Sequence, residues 1–128
     1  MIEVLLRLGF DPNKTDDIGQ TCLFYAARFS QISILGVLKQ TNADFNQVDQ
    51  QGQTPIFYAA CYSDKVETLQ TLVNYGARPN HVDNLAGQTA IYYAAKHNWL
   101  SNVKYLIEVA DFDIAHKDKF GDTPIDFA

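Results

Sequence analysis

Gly52-Gln-Thr-Pro-Ile-Phe-Tyr-Ala-Ala60 decides the reading of this chain, because most of it occurs more than once. Gly19, Gly52, Gly87 and Gly121 stand 33, 35 and 34 residues apart, and Thr21, Thr54, Thr89 and Thr123 keep the same three intervals. The pairs Ala26-Ala27, Ala59-Ala60 and Ala94-Ala95 follow the first three threonines in fixed register. An interval of this size marks a chain built by stacking one small unit, each copy burying its apolar face against the next.

The unit can be read outward from that stretch. Asp16-Asp-Ile-Gly19, Asp49-Gln-Gln-Gly52 and Asp118-Lys-Phe-Gly121 place Asp first and Gly last in four residues, the preference of a type I turn. The Thr two residues later is positioned to cap a helix with its hydroxyl, and Pro55 and Pro124 suit the first helical position, where a missing N–H costs nothing. A short first helix follows, for instance 55–62, whose alanines allow a neighbouring helix to come close. A second helix is expected after Ser30, Ser63 and Asn98. Its stripes are Ile32, Leu35 and Leu38; Val66, Leu69 and Leu72; and Leu100, Val103 and Leu106, widened by Ile34, Val37, Val73 and Ile107. Gly9, Asn42 and Gly76 supply left-handed caps at its end. The polar stretch between that cap and the next Thr, with the turn at its tip, predicts a hairpin. Each unit then reads helix, turn, helix, hairpin.

Composition narrows the class of work. Of the 128 residues, 47% are hydrophobic and 20% charged, as in a folded chain rather than a disordered one. Ten Lys and Arg against fifteen Asp and Glu give a net charge of −5, which argues against nucleic acid, whose phosphates require a basic face. No apolar run approaches the roughly 20 residues of a membrane span, and the opening stretch lacks the marks of a signal peptide. Cys22 and Cys61 are too few for a disulfide framework or a thiolate metal site; read as buried and reduced, they imply an intracellular and cytoplasmic location.

The residues resemble the ankyrin repeat. Gly52-Gln-Thr-Pro-Ile-Phe-Tyr-Ala-Ala60 is similar to that family's Gly-x-Thr-Pro-Leu-His-x-Ala-Ala core, and Tyr75-Gly-Ala-Arg-Pro-Asn80 and Asn42-Ala-Asp-Phe-Asn46 to its Gly-Ala-Asp-x-Asn finger. The resemblance covers essentially the whole chain and implies an all-α solenoid of stacked helix-turn-helix units with short β-hairpin fingers. It divides residues 1–128 into a partial repeat at 1–15, repeats at 16–48, 49–82 and 83–117, and a partial repeat at 118–128. Phe24, Phe57 and Tyr92 replace the family's His, so aromatic packing is expected where that His links repeats. The second full repeat carries an extra residue near Lys65, and the finger Asp83-Asn-Leu-Ala-Gly87 is one residue longer than the others. Ala110-Asp-Phe-Asp-Ile114 departs from the usual finger start. Ile2, Val4, Leu5, Leu6 and Leu8 have no partner on their N-terminal side, which implies a segment of a longer array or multidomain protein.

Catalytic chemistry finds no footing. His81, His97 and His116 read as falling in different positions of different units, none with a partner at helical metal spacing, so no metal and no cofactor are expected. The stretch 111–122 has the outline of a calcium loop, but Ala115 and His116 occupy positions that need an acid and a Gly. The resemblance instead implies a non-catalytic protein-interaction module, not an enzyme, binding a partner protein on a concave face made by the finger tips and the residues after each Ala pair. Carried over, the partner-binding residues are Ile18, Gln20, Arg28, Phe29, Gln51, Gln53, Tyr62, Leu85, Gln88, Lys96, His97 and Phe120, with Phe29 and Tyr62 as candidate anchors. Trp99 is expected to pack between repeats. Over 108–128 six acids face two lysines, which favours a partner with a basic patch; no small-molecule substrate and no membrane insertion are implied. The family's finger asparagines, here Asn46 and Asn80, are expected to hold their loops, and in related proteins such asparagines can be hydroxylated. Two rival roles remain: a regulatory or targeting segment of a larger enzyme or channel, and a permanently bound subunit of a large assembly.

Overall fold

A computed structural model describes residues 13–41, 43–109 and 116–127. Among these described residues six α-helices run in three consecutive pairs: α1 (Cys22–Arg28) with α2 (Ile32–Lys39), α3 (Pro55–Tyr62) with α4 (Val66–Asn74), and α5 (Ala90–Lys96) with α6 (Leu100–Val109). A short 3-10 helix, Pro124–Phe127, follows. The first helices form one layer, α1 against α3, α3 against α5, and α5 against the 3-10 turn; α2, α4 and α6 stack in the same order as a second layer.

The alanines explain how closely the first layer packs. Ala26, Ala27, Ala59, Ala60, Ala94 and Ala95 are all buried, so helix backbones approach with no larger side chain between them. Around them lie Leu23, Ile56 and Ile91, and then Phe24, Phe57 and Tyr92, each nearly solvent-free. Burying side chains of this size contributes about 1.5–3 kcal/mol each. The aromatic packing expected in place of a His is present. Phe24 meets Tyr58 edge-on at 5.7 Å between ring centroids, and Phe57 meets Tyr93 at the same distance.

The second layer is less covered than its stripes suggested. Leu35, Leu38, Leu69, Leu72 and Leu106 are buried, but Ile32, Ile34, Leu100 and Ile107 are exposed. α4 packs against α2, α6 and α3, and the exposed residues lie on the parts of these helices that such packing leaves uncovered. Val37, Val66, Val73 and Val103 are half-buried between the two.

Caps also differ from expectation. Thr21, Thr54 and Thr89 take extended backbone angles at the N-cap but make no side-chain capping bond, and the Thr54 and Thr89 hydroxyls are buried without a partner. Tight burial of these side chains has overridden the capping role. Only Thr123 is held by its own turn, its N–H and hydroxyl both reaching Asp126 Oδ2, at 2.7 and 3.1 Å. Gly76 closes α4 as expected: at φ +103° its N–H reaches the Val73 carbonyl while Ala77 N–H reaches Leu72, the paired bonds of a Schellman end. Gly9 and Asn42 lie outside the described residues. Ser30 and Asn98 close α1 and α5 in the same left-handed way, at φ 56° and 60°. Ser63 at the matching place is extended, because α3 runs one residue longer before the inserted residue near Lys65.

The expected hairpins reduce to turns. Asp16, Asp49, Asp83 and Asp118 each close a finger through a bond from their own N–H to the carbonyl of the fourth or fifth residue on: Gln20, Gln53, Gln88 and Asp122. Among the described residues no strand forms. Neighbouring finger tips are joined by one backbone bond each: Gln50 N–H to Ile18, Asn84 N–H to Gln51, and Lys119 N–H to Ala86. The longer finger at 83–87 absorbs its extra residue through Ala86 N–H, which bonds the Asp83 carboxylate. The Asn46 side chain holds the next unit's loop rather than its own. Its amide donates to the Gly76 carbonyl at 3.0 Å and its oxygen accepts from Arg78 N–H at 2.9 Å.

Candidate partner-binding face

Three residues of each full unit, a Gln, an Asp and a Tyr, recur under the finger tips. Each turn Asp uses one carboxylate oxygen to hold its own finger: Asp49 Oδ1 accepts from Gln51 and Gln53 N–H, at 2.9 and 3.0 Å, and Asp16, Asp83 and Asp118 repeat the arrangement. The other oxygen faces the preceding unit. Asp49 Oδ2 takes the Gln20 amide at 3.1 Å and the Tyr58 hydroxyl; Asp83 Oδ2 takes the Gln53 amide at 3.1 Å and the Tyr93 hydroxyl at 2.6 Å; Asp118 Oδ2 takes the Gln88 amide at 2.7 Å. The result is a ladder of Gln, Asp and Tyr running from unit to unit.

The ladder settles the place of three expected contact residues. Gln20, Gln53 and Gln88 are 5%, 5% and 2% exposed, with their amides engaged inside the stack. They do not offer side chains to a partner. Nothing in the carried-over motif flagged them, yet the signal existed: Gln, Asp and Tyr recur with the period of the Thr and Gly, at 20/53/88, 16/49/83/118 and 25/58/93. The ladder stops at the fourth unit, where Asp122 stands in the Gln position and Phe127 in the Tyr position.

Two histidines correct the reading that the three share no position. His81 and His116 each precede the turn Asp by two residues, and each Nε2 lies at hydrogen-bond distance from a Gly carbonyl of the preceding unit, Gly52 at 2.9 Å and Gly87 at 3.1 Å. Each also meets a core ring edge-on, Phe57 and Tyr92. His97 is an exposed residue just past α5.

Electrostatics follow from the ladder. Burial would raise the Asp83 carboxyl, but hydrogen bonds from Tyr93, Gln53 and the Gln88 and Ala86 backbone outweigh it and hold it below 3.8; Asp118 behaves alike through Gln88. Burial and then the Asp partner push the Tyr58 and Tyr93 hydroxyls well up. Tyr92 is pushed up to about 12, first by burial and then by Asp118, Asp122 and Asp126. Of the acids over 108–128, Asp118 is turned inward onto Gln88 and its own finger, and Asp126 onto Thr123. Asp111 and Asp113 lie outside the described residues.

What remains open to solvent on the finger and first-helix side mixes apolar and aromatic residues with polar ones such as Asp17, Gln50, Asn84 and Lys119. Ile18 is 49% exposed, Phe29 62%, Tyr62 48%, Leu85 54% and Phe120 77%; Gln51, Lys96 and His97 are exposed too. Arg28 lies across rings, its guanidinium carbon 4.5 Å from the Tyr62 centroid and 5.7 Å from that of Tyr58, and it donates to the Tyr62 hydroxyl at 2.7 Å. Lys96 Nζ sits 4.7 Å from the Tyr93 centroid and donates to Gln88 Oε1 at 2.7 Å. Trp99 bridges units as expected: half-buried, it donates from its ring N–H to the Cys61 carbonyl at 2.8 Å.

A family model of ankyrin repeats, three copies long, matches residues 1–83 and again 61–128. The chain belongs to the ankyrin repeat family. Ankyrin repeats are in general protein-interaction modules, and an all-α repeat solenoid is what the helix pairs form. Among the described residues, no helix of this ankyrin chain is long and apolar enough to cross a membrane.

Proposed function

We propose that this chain is a non-catalytic interaction module that holds a partner protein on its finger and first-helix face. The observation that carries the reading is the set of exposed apolar residues, Ile18, Phe29, Tyr62, Leu85 and Phe120, mounted on a stack whose polar groups are tied from unit to unit. Exposed aromatics on a rigid frame suit anchoring, because little side-chain and backbone freedom is lost on binding. Arg28, Gln51, Lys96 and His97 supply the polar rim. The net charge of −5 favours a protein over a nucleic acid as the partner, and two cysteines outside any disulfide, Cys22 and Cys61, suit a reducing cytoplasm. The test is capture from cell extract by the intact chain beside a Phe29→Ser, Tyr62→Ser double variant shown to be folded by circular dichroism. A partner kept by the wild type and lost by the variant supports the reading. Equal capture by both moves the working surface to the second-layer helices or the ends of the stack.

A further inference from the structure

Between the second and third fingers and the helices beneath them lies a cleft of about 180 Å³, walled by Phe57, Tyr58, Tyr62, Leu85 and Tyr93 with Cys61 among the lining residues. Small-molecule sites occupy about 300–1,000 Å³, whereas about 150 Å³ is enough for one benzene ring. The cleft therefore suits a single side chain. Its room comes from the position directly after the Ala pair: Arg28 and Lys96 fill that place in the flanking units, and the middle unit has only Cys61 there.

The cations nearest this point are Arg28, whose guanidinium lies over the Tyr62 and Tyr58 rings, and Lys96, whose Nζ lies over the Tyr93 ring. Arg28 itself meets the Tyr62 hydroxyl and the faces of the Tyr62 and Tyr58 rings. Its fork has five N–H donors, of which one meets Tyr62 Oη. Asp49 and Asp83 stand behind Tyr58 and Tyr93, with their outer oxygens closed off by those hydroxyls and by Gln20 and Gln53. A basic side chain entering here meets two cations; an acidic one meets a guanidinium with donors to spare.

Resting on the proposed binding face, we propose that this cleft anchors a partner segment in which an aromatic side chain lies beside an acidic residue. The ring enters between Tyr58, Tyr62, Leu85 and Tyr93, where the Tyr58 and Tyr62 rings lie parallel and Tyr93 stands edge-on to Phe57. The carboxylate meets Arg28 at the rim. The partner is thus selected by an acidic-aromatic segment, not by the basic patch that the overall acidity suggests.

The experiment selects displayed random linear peptides on the full chain, then titrates the strongest synthetic peptide against wild type, Arg28→Gln, Arg28→Lys, Leu85→Ser and the distant Phe120→Ser, all checked for fold by circular dichroism. Enriched sequences should pair Phe, Tyr or Trp with Asp or Glu. Arg28→Gln should weaken binding about tenfold, the loss expected for a charge-assisted bond, with partial retention in Arg28→Lys. Bound peptide should slow iodoacetamide alkylation of Cys61 while leaving Cys22 unchanged. Basic or non-aromatic peptides that leave Cys61 unprotected yet respond to Phe120→Ser overturn the cleft assignment and leave the binding face standing. Peptides indifferent to every one of these substitutions overturn both. Failure to enrich any sequence overturns the cleft assignment.

Discussion

Replacing Asp49 with Ala is the sharpest test of the ladder. The carboxylate is buried and receives four donors: Gln51 N–H, Gln53 N–H, the Gln20 amide and the Tyr58 hydroxyl. Not all are stranded by its loss. Gln51 lies at the exposed tip and can turn to water, and the Gln20 amide keeps the Tyr58 oxygen at 2.8 Å. Gln53 N–H and the Tyr58 O–H remain buried without an acceptor. At about 1–3 kcal/mol for each stranded donor, the variant should lose about 2–6 kcal/mol, a large share of the ~5–15 kcal/mol that typically holds a domain together. Asp16 is the matched control. It makes the same contacts to its own finger and to Tyr25, but at an exposed site where water replaces them. Urea unfolding of both alanine variants, followed by far-ultraviolet circular dichroism, measures the difference through the midpoint at constant slope. Asp16→Ala should shift the midpoint by only a small part of the Asp49→Ala shift. Equal shifts, or an Asp49→Ala loss under about 1 kcal/mol, would refute the claim that buried polar satisfaction joins the units.

Three further outcomes follow from the same geometry. Gly52→Ala should cost clearly more than Gly121→Ala in thermal unfolding: both sit at left-handed φ, +74° and +81°, worth about 1–2 kcal/mol to any L side chain, but only at Gly52 would the new methyl stand 2.9 Å from a backbone nitrogen, that of Asn84. Stability should be flat near neutrality and fall at both extremes. Asp16, Asp83 and Asp118 titrate below 3.8 in the folded state, so their contribution is present above that value and lost as pH falls through their folded values. Tyr58, Tyr92 and Tyr93 titrate above 10, so theirs is lost as pH rises past 10. Tyr93→Phe should flatten the acid limb, and an unchanged limb in pH-dependent urea midpoints would count against the Asp83 bond. Asn102→Ala should destabilise by about 1–3 kcal/mol in the same assay, since the buried amide ties the Ala60 and Ser63 carbonyls at the end of α3, at 3.2 and 2.6 Å; a neutral result would mean those carbonyls find other donors.

Periodicity made most of the fold legible. The helix pairs, the turn at each finger, the inserted residue near Lys65, the longer finger at 83–87 and the Gly76 cap all follow from which residue types recur and where they slip. The sites were less legible. Ile18, Phe29, Tyr62, Leu85 and Phe120 are exposed, while Gln20, Gln53 and Gln88, placed beside them by register, point into the stack. A motif records position along the chain, and burial depends on what lies opposite.

By itself, then, the sequence determined the unit, its copy number and its local punctuation, because Asp-x-x-Gly turns, Ala pairs and left-handed caps act over a few residues. Only the tertiary structure decided which polar groups join one unit to the next. Thr54 and Thr89 surrendered their capping role to burial, Gln53 left the surface for Asp83 some 30 residues away, and Cys61 became part of a cleft because Leu85 and Tyr93 of the next unit line it as well. Gln53 is settled by a partner distant in sequence and adjacent in space, where desolvation makes an unmet donor more costly than any local preference; the two threonines are settled by packing, which leaves their hydroxyls unmet.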